Sequence, residues 1–446
     1  MLTSTELHIH IAGSFYPEDF MALARPFYQE IDWHGRDFLT EYNRVLQADL
    51  DPIALFVSAT GNLDEAMAKL RHYYVYDAED NGRFDRFMWK YRFFQRVWGH
   101  GWNHNAELAQ RMMQHVLRHH RQQGLDYVEY RCTFWGEPEE HLNKLHRFAT
   151  GLKQAAEIGL DAKLILPLPR LDPLPNFEML VELMTRHPEL GDTIVGIDFA
   201  SEEEGMPPKL LRPFFTRLHH HNQTHPEQAL DAVYHVGETF YDKSLESAAR
   251  WCHEAAELGA KRLGHCIALG LDPAIAVSRR PQAHKFESVS ERLDQIAYDL
   301  KWQSELTAYG IAVNADDLRT EQRKLQGLAA DDEVKRPYSP QRFHDIRQRQ
   351  QFVLDQLTRL GTVIECCPTS NLRIGDVPDA AHHPIHRFLA SNVNLVICTD
   401  DPGVFDITLA GEIDWVLQHT GHTSASLAHR LGNPYRFRLN PNSSGT

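Results

Sequence analysis

The chain has 446 residues, 42% hydrophobic and 24% charged, a balance that supplies a large buried core and excludes an intrinsically disordered protein. Its formal charge of -15, from 46 Lys and Arg against 61 Asp and Glu, repels polyanions, so no duplex nucleic acid is an expected partner. Six cysteines form neither a dense disulfide framework nor a CxxC pair, no run of about eighteen apolar residues occurs, and no basic, cleavable leader precedes the first strand; a soluble, cytoplasmic chain without a membrane partner is expected.

In chain order, short apolar runs rich in β-branched residues alternate with helical patterns. They are LHIHI (7–11), YVEYR (127–131), KLILPL (163–168), TIVGIDFA (193–200), AVYHVG (232–237), RLGHC (262–266), TVIECC (362–367) and LVICTD (395–400). Runs apolar on both faces suit parallel strands covered by helices, and eight of them predict an α/β fold, a (β/α)8 TIM-type barrel, over an open doubly wound sheet. AELAQRMMQHVLRHHRQQG and HDIRQRQQFVLDQLTRLG carry apolar residues at three- and four-residue spacing and end at Gly124 and Gly361, as helices often do.

Two connections exceed a plain βα loop: about 13–101 after strand one and about 267–360 after strand six, the latter containing ERLDQIAYDLKWQSELTAYG. Helical insertions at these points are expected over the carboxyl face of the barrel, as lids or as contacts of a homo-oligomer. Residues 1–430 read as a single barrel domain, and 431–446 as a polar tail with a loose end.

His8 and His10 alternate along the first strand, so they project to one face. A lone histidine among 27 carries little weight, and HHH at 219–221 reads as solvated. Other strand ends add weight: His235 closes strand five with Glu238 three residues on, His265 closes strand six, and Asp400 and Asp401 close strand eight. In a barrel these side chains converge on one mouth. Three imidazoles and a carboxylate suit Zn2+, and an open position for water would make the site catalytic. Spacing alone leaves open which groups ligate and which do acid–base work.

The ordered series HIHIAGS, YVEYR, VGIDFA, HVGE, RLGHC, ECCPTSN and CTDDPGVF resembles the motif series of the adenosine deaminase family, within the amidohydrolase superfamily, from Glu6 to about Phe405. The resemblance implies zinc-dependent hydrolytic deamination of a 6-aminopurine nucleoside or nucleoside 5′-monophosphate, with one Zn2+ per chain. His8, His10, His235 and Asp400 match the metal ligands. Glu238 matches the acid that protonates purine N1, and His265 the residue that orients the attacking water. Asp401 matches the partner of the N7 side, and Gly13, Ser201 and Gly237 lie at substrate-binding positions. Glu365 matches an outer partner that holds His265.

Two departures bear on the substrate. Where nucleoside-specific relatives carry an acidic residue after the HxH pair, this chain has Ile11-Ala12-Gly13, which admits a 5′-phosphate and favours AMP or dAMP. Ser201 stands where glycine is common, so its φ must permit the turn. Arg279, Arg280 and Lys285 are candidate phosphate contacts. Asp316–Asp317, without a following proline, reads as part of the second insertion. Rival readings are a binuclear amidohydrolase acting on another substrate and a barrel subunit of a larger assembly; the H-x-E with P-C-x-x-C of cytidine-type deaminases and the HExxH of metalloproteases do not occur.

Overall fold

A computed structural model describes residues 2–134, 137–279, 286–375 and 377–439. Among the described residues ten strands are formed: β1 (Thr5–His10), β2 (Tyr127–Arg131), β3 (Asp161–Pro167), β4 (Ile194–Asp198), β5 (Asp231–Val236), β6 (Arg262–His265), β7 (Phe286–Ser288), β8 (Glu333–Lys335), β9 (Val363–Cys366) and β10 (Asn394–Ile397). Eight pair in the order β1-β2-β3-β4-β5-β6-β9-β10, all neighbours parallel. Closure follows from His10 N–H donating to Asp400 O at 2.8 Å and Asp400 N–H donating to His8 O at 2.9 Å. The barrel expected from the eight runs is therefore formed, and every residue of β2 and β4 is buried, as a strand between a packed interior and a helical coat requires.

Both predicted helices are present, Ala106–Gln122 and Pro340–Leu360, and Gly124 and Gly361 beyond them take φ of 91° and 72°. The first insertion covers part of the mouth. Its aromatic residues pack tightly, with Phe20 edge-on to Tyr74, Phe93 and Phe94. Tyr74 Oη donates to Phe15 O at 2.8 Å and Tyr76 N–H to Val404 O at 2.8 Å, which ties this unit to the segments leaving β1 and β10.

The second insertion departs from the expected lid. Its helix Val289–Lys301 runs beside Leu245–Leu258, pairing Arg250 with Glu291, His253 with Tyr298 and Lys301 with Glu257 in the same chain direction. This places it on the barrel's flank. Partnership explains it: Glu291, Arg292, Gln295, Ile296 and Tyr298 are buried, and helix Leu245–Leu258 is buried nearly all round because it is covered on both sides. The antiparallel β7–β8 pair reaches the segment after β5, where Ser244 Oγ donates to Glu287 Oε2 at 3.3 Å.

The segment after 431 packs against the barrel as far as it is described, and the loose end expected of it lies outside the described residues. Leu439 is buried against Ile165, Val195 and Val233, and its N–H donates to Glu129 Oε1 at 2.8 Å. Arg262 Nη1 donates to Phe437 O at 2.8 Å. An apolar residue among turn formers thus packs against the barrel strands. Among the described residues, no helix is long and apolar enough to cross a membrane.

Candidate active site

β1 shifts register between Glu6 and Ile9, a bulge of the kind that re-aims side chains beside active sites. From its end, His8 and His10 meet His235 of β5 and Asp400 beyond β10. His10 Nε2 lies 3.3 Å from His235 Nε2 and 3.3 Å from Asp400 Oδ1, and His8 Nε2 lies 3.4 Å from the same oxygen. Each of the four residues offers a donor atom within 4.8 Å of the others.

Outer partners set which nitrogen faces inward. His8 Nδ1–H donates to Glu365 Oε2 at 2.7 Å, and His235 Nδ1–H to Asp198 at 3.0 Å, leaving both Nε2 atoms as lone-pair donors. His8 Nε2 is buried with no hydrogen-bond partner. Imidazole lone pairs converging on one carboxylate oxygen repel one another unless a cation lies between them, so the donor set fits a divalent ion with nitrogen affinity. Ser370 Oγ donates to Asp400 Oδ2 at 2.8 Å, which orients the other carboxylate oxygen.

Beside this cluster, Glu238 Oε1 lies 3.6 Å from His265 Nε2. Burial raises the Glu238 carboxyl well above its usual range, and Asp400, Glu203 and Glu204 push it further in the same direction. Burial likewise lowers His265 to about 3. His265 Nδ1–H donates to Asn371 Oδ1 at 2.8 Å, so its Nε2 presents a lone pair to Glu238. Asp401 is raised by burial and by the charges of Asp400 and Glu238, and its Oδ1 is buried without a partner. Asp400, by contrast, is held well below the usual carboxylate range: burial opposes this, but His8, His265 and His10 outweigh it.

Gly13 makes room for Asp401. A Cβ there would stand 1.7 Å from Asp401 Oδ1, so Gly13→Ala must displace that carboxyl group. Since a displacement near 1 Å can cost about a hundredfold, kcat/KM for Gly13→Ala is expected to fall by about that factor with fold stability little changed, checked by steady-state kinetics beside thermal melting. Ser201 is exposed with φ of 70°, the left-handed conformation that explains why glycine is common there. His265 and Asp400 also have positive φ, 65° each, so backbone strain gathers at the mouth.

Two expectations need correction. Glu365 holds His8, together with Arg131 Nη2 at 2.7 Å and Arg262 Nε at 2.6 Å; the partner of His265 is Asn371, which lies one helical turn beyond β9 and so reaches the rim. The N–H of Gly237 is not free to bind substrate: it donates to Glu203 Oε2 at 2.9 Å, and the Gly237 carbonyl accepts from Ala268 N–H at 2.9 Å. Arg280 and Lys285 lie outside the described residues, as does the side chain of Arg279, whose backbone ends the helix Pro273–Arg279. Asp316 and Asp317 lie in the first turn of Ala315–Leu325, within the second insertion.

Several functional residues were missed although they stand inside the quoted motifs. Arg131 closes YVEYR and donates to Asp198 at 2.7 Å as well as to Glu365, so one guanidinium orients the outer partners of both His235 and His8. Asp198 lies in VGIDFA and Asn371 in ECCPTSN. A charged residue in a strand otherwise buried on both faces was the available signal. Arg170, absent from any quoted motif, donates through Nη2 to His235 O at 2.8 Å.

Fold and mouth together define a parallel β/α barrel with a cation-competent histidine–carboxylate centre. The sequence model of the adenosine deaminase family matches residues 62–290 and 341–436, and the chain belongs to that family. The unmatched stretch between them holds most of the second insertion. The chain is 37% identical over 101 residues to an adenosine deaminase-like protein of Drosophila melanogaster, covering 18% of this chain and 30% of that one. It is 37% identical over 75 residues to an adenine deaminase of Rhizobium leguminosarum, covering 17% and 23%. The alignments thus span less than a third of these curated relatives' length. Over nearly the whole chain the fold is similar to adenine deaminase from Arthrobacter aurescens, with TM-score 0.57, 17% identity and coverage of 99% and 94%. It is also similar to Arabidopsis ADAL in complex with GMP, with TM-score 0.52, 14% identity and coverage of 98% and 93%.

Proposed function

We propose that the chain is a hydrolytic deaminase of 6-aminopurines and that His8, His10, His235 and Asp400 hold one Zn2+. The observation that carries this reading is the convergence of three imidazoles and one carboxylate next to the Glu238–His265 pair. A zinc ion held by these four residues would lower the pKa of a bound water and so supply a nucleophile near neutral pH.

The chain's own groups supply the remaining steps. Glu238, protonated in its buried setting, donates to purine N1, where negative charge would otherwise accumulate as C6 is attacked. His265, neutral and with Nε2 as acceptor, orients and deprotonates the attacking water. Asp401, also protonated, offers a proton to N7 through its unpartnered Oδ1. His265 returns the proton taken from the water to the departing amine, the C6 hydroxyl gives its proton to the Glu238 carboxylate, which restores the acid, and ammonia leaves.

The preferred substrate in this reading is the nucleoside 5′-monophosphate, AMP or dAMP. Ala12, where nucleoside-specific relatives carry a carboxylate, removes a charge that would repel a phosphate. Arabidopsis ADAL, similar in fold, binds GMP. The test is kcat/KM for AMP, dAMP, adenosine, deoxyadenosine and adenine, followed by the fall in absorbance of the adenine band. Monophosphates are expected to exceed the nucleosides by roughly tenfold or more; a nucleoside preference of that size overturns the monophosphate reading, and no turnover of any of the five overturns the activity.

A further inference from the structure

We propose that Asp19, His115 and His119 form a second cation site, for Zn2+ or a neighbouring first-row divalent ion, which clasps the first insertion to a helix of the barrel coat. His115 and His119 stand four residues apart on Ala106–Gln122, the spacing that puts two side chains on one helical face. Asp19, from the first turn of helix Pro17–Ala24, enters between them. Its Oδ1 lies 2.7 Å from His115 Nε2 and its Oδ2 3.3 Å from His119 Nδ1, and all three residues offer donor atoms within 4.8 Å of one another. Bonds of about 2.0–2.2 Å put tetrahedral donors about 3.3 Å apart, so admitting an ion requires only a small opening of the cluster.

The surroundings hold the donors as outer partners hold those of a metal site. Tyr16 N–H donates to Asp19 Oδ2 at 3.0 Å, and the Tyr16 ring stacks on His119 with centroids 4.6 Å apart. Asp19 is 6% exposed, yet its ion-pair partners are two imidazoles and no fixed cation. Burial opposes its ionisation, but the hydrogen bonds from His115 and His119 outweigh that and keep the carboxyl below its ordinary range. Two nitrogens and one carboxylate suit zinc, nickel or copper better than the oxygen-seeking calcium or magnesium. Both histidines are partly exposed, which leaves an entry path.

The test is titration of Zn2+ into protein that already holds one equivalent, beside His119→Gln and His115→Ala. Wild type is expected to bind a second equivalent and to melt at higher temperature as Zn2+ is added. Loss of an outer partner alone costs roughly 10–100-fold in metal affinity, so loss of a ligand is expected to abolish both effects, with deamination unchanged. The His8→Ala variant is expected to keep the second uptake, which separates this site from the barrel mouth. Uptake by both variants equal to that of wild type overturns the proposal. So does a melting temperature lowered in the variants equally with and without Zn2+, because the cluster is then an ion pair and nothing more.

Discussion

Glu238→Gln is expected to lower kcat by about 10²–10⁴-fold while leaving zinc content and melting temperature near those of wild type. The side chain is isosteric, so packing survives, and no donor of the four-residue cluster is touched. What is lost is a proton that the buried carboxyl holds to higher pH than an ordinary carboxyl does. Burial, then Asp400, Glu203 and Glu204, raise the Glu238 pKa, so its acid form is the populated one up to that raised value. Activity that needs this proton therefore falls as pH rises through it, and the glutamine variant loses that alkaline limb. Rates measured across pH for both proteins, beside metal content, check the expectation.

Arg131→Met is expected to destabilise the fold by about 3–5 kcal/mol and to weaken cation affinity by roughly 10–100-fold. Arg131 is buried and spans Asp198 and Glu365 at 2.7 Å each, while Nη1 donates to Leu7 O at 2.9 Å. Removing it leaves two buried carboxylates short of a cation, one behind His235 and one behind His8. Arg262 still pairs with Glu365, so the Asp198 side of the site is the more exposed to the loss. Arg131→Lys keeps the charge but loses the planar fork that reaches both carboxylates, and is expected to fall between the two. Denaturant midpoints and zinc titration measure the two effects separately.

Much of this was legible in the sequence because a barrel writes its plan locally. Strands buried on both faces leave apolar runs, and the residues at the end of each run stand at the mouth; His235, His265 and Asp400 could be placed that way without knowledge of any contact. The partners of those residues could not. Whether Glu365 meets His8 or His265 depends on the stagger of β9 against β6 and on side-chain rotamers, and both histidines are chemically equivalent candidates. Gly237 was placed at the substrate by its motif alone, whereas the buried Glu203 that takes its N–H is 34 residues away and sits in a run of three glutamates. The second insertion shows the same limit: its amphipathic pattern says that one face is buried, but not that the cover is helix Leu245–Leu258. Leu439, in a segment rich in turn formers, gave no periodic signal at all.

The most direct test of the central claim is anomalous diffraction at the zinc absorption edge from crystals of the zinc-loaded protein, read at the barrel mouth. The account predicts one peak there, within bonding distance of His8, His10, His235 and Asp400. Glu238, His265 and Asp400 also offer donor atoms within 4.8 Å of one another. A second peak among those three, or no peak between the histidines of β1 and β5, would contradict it.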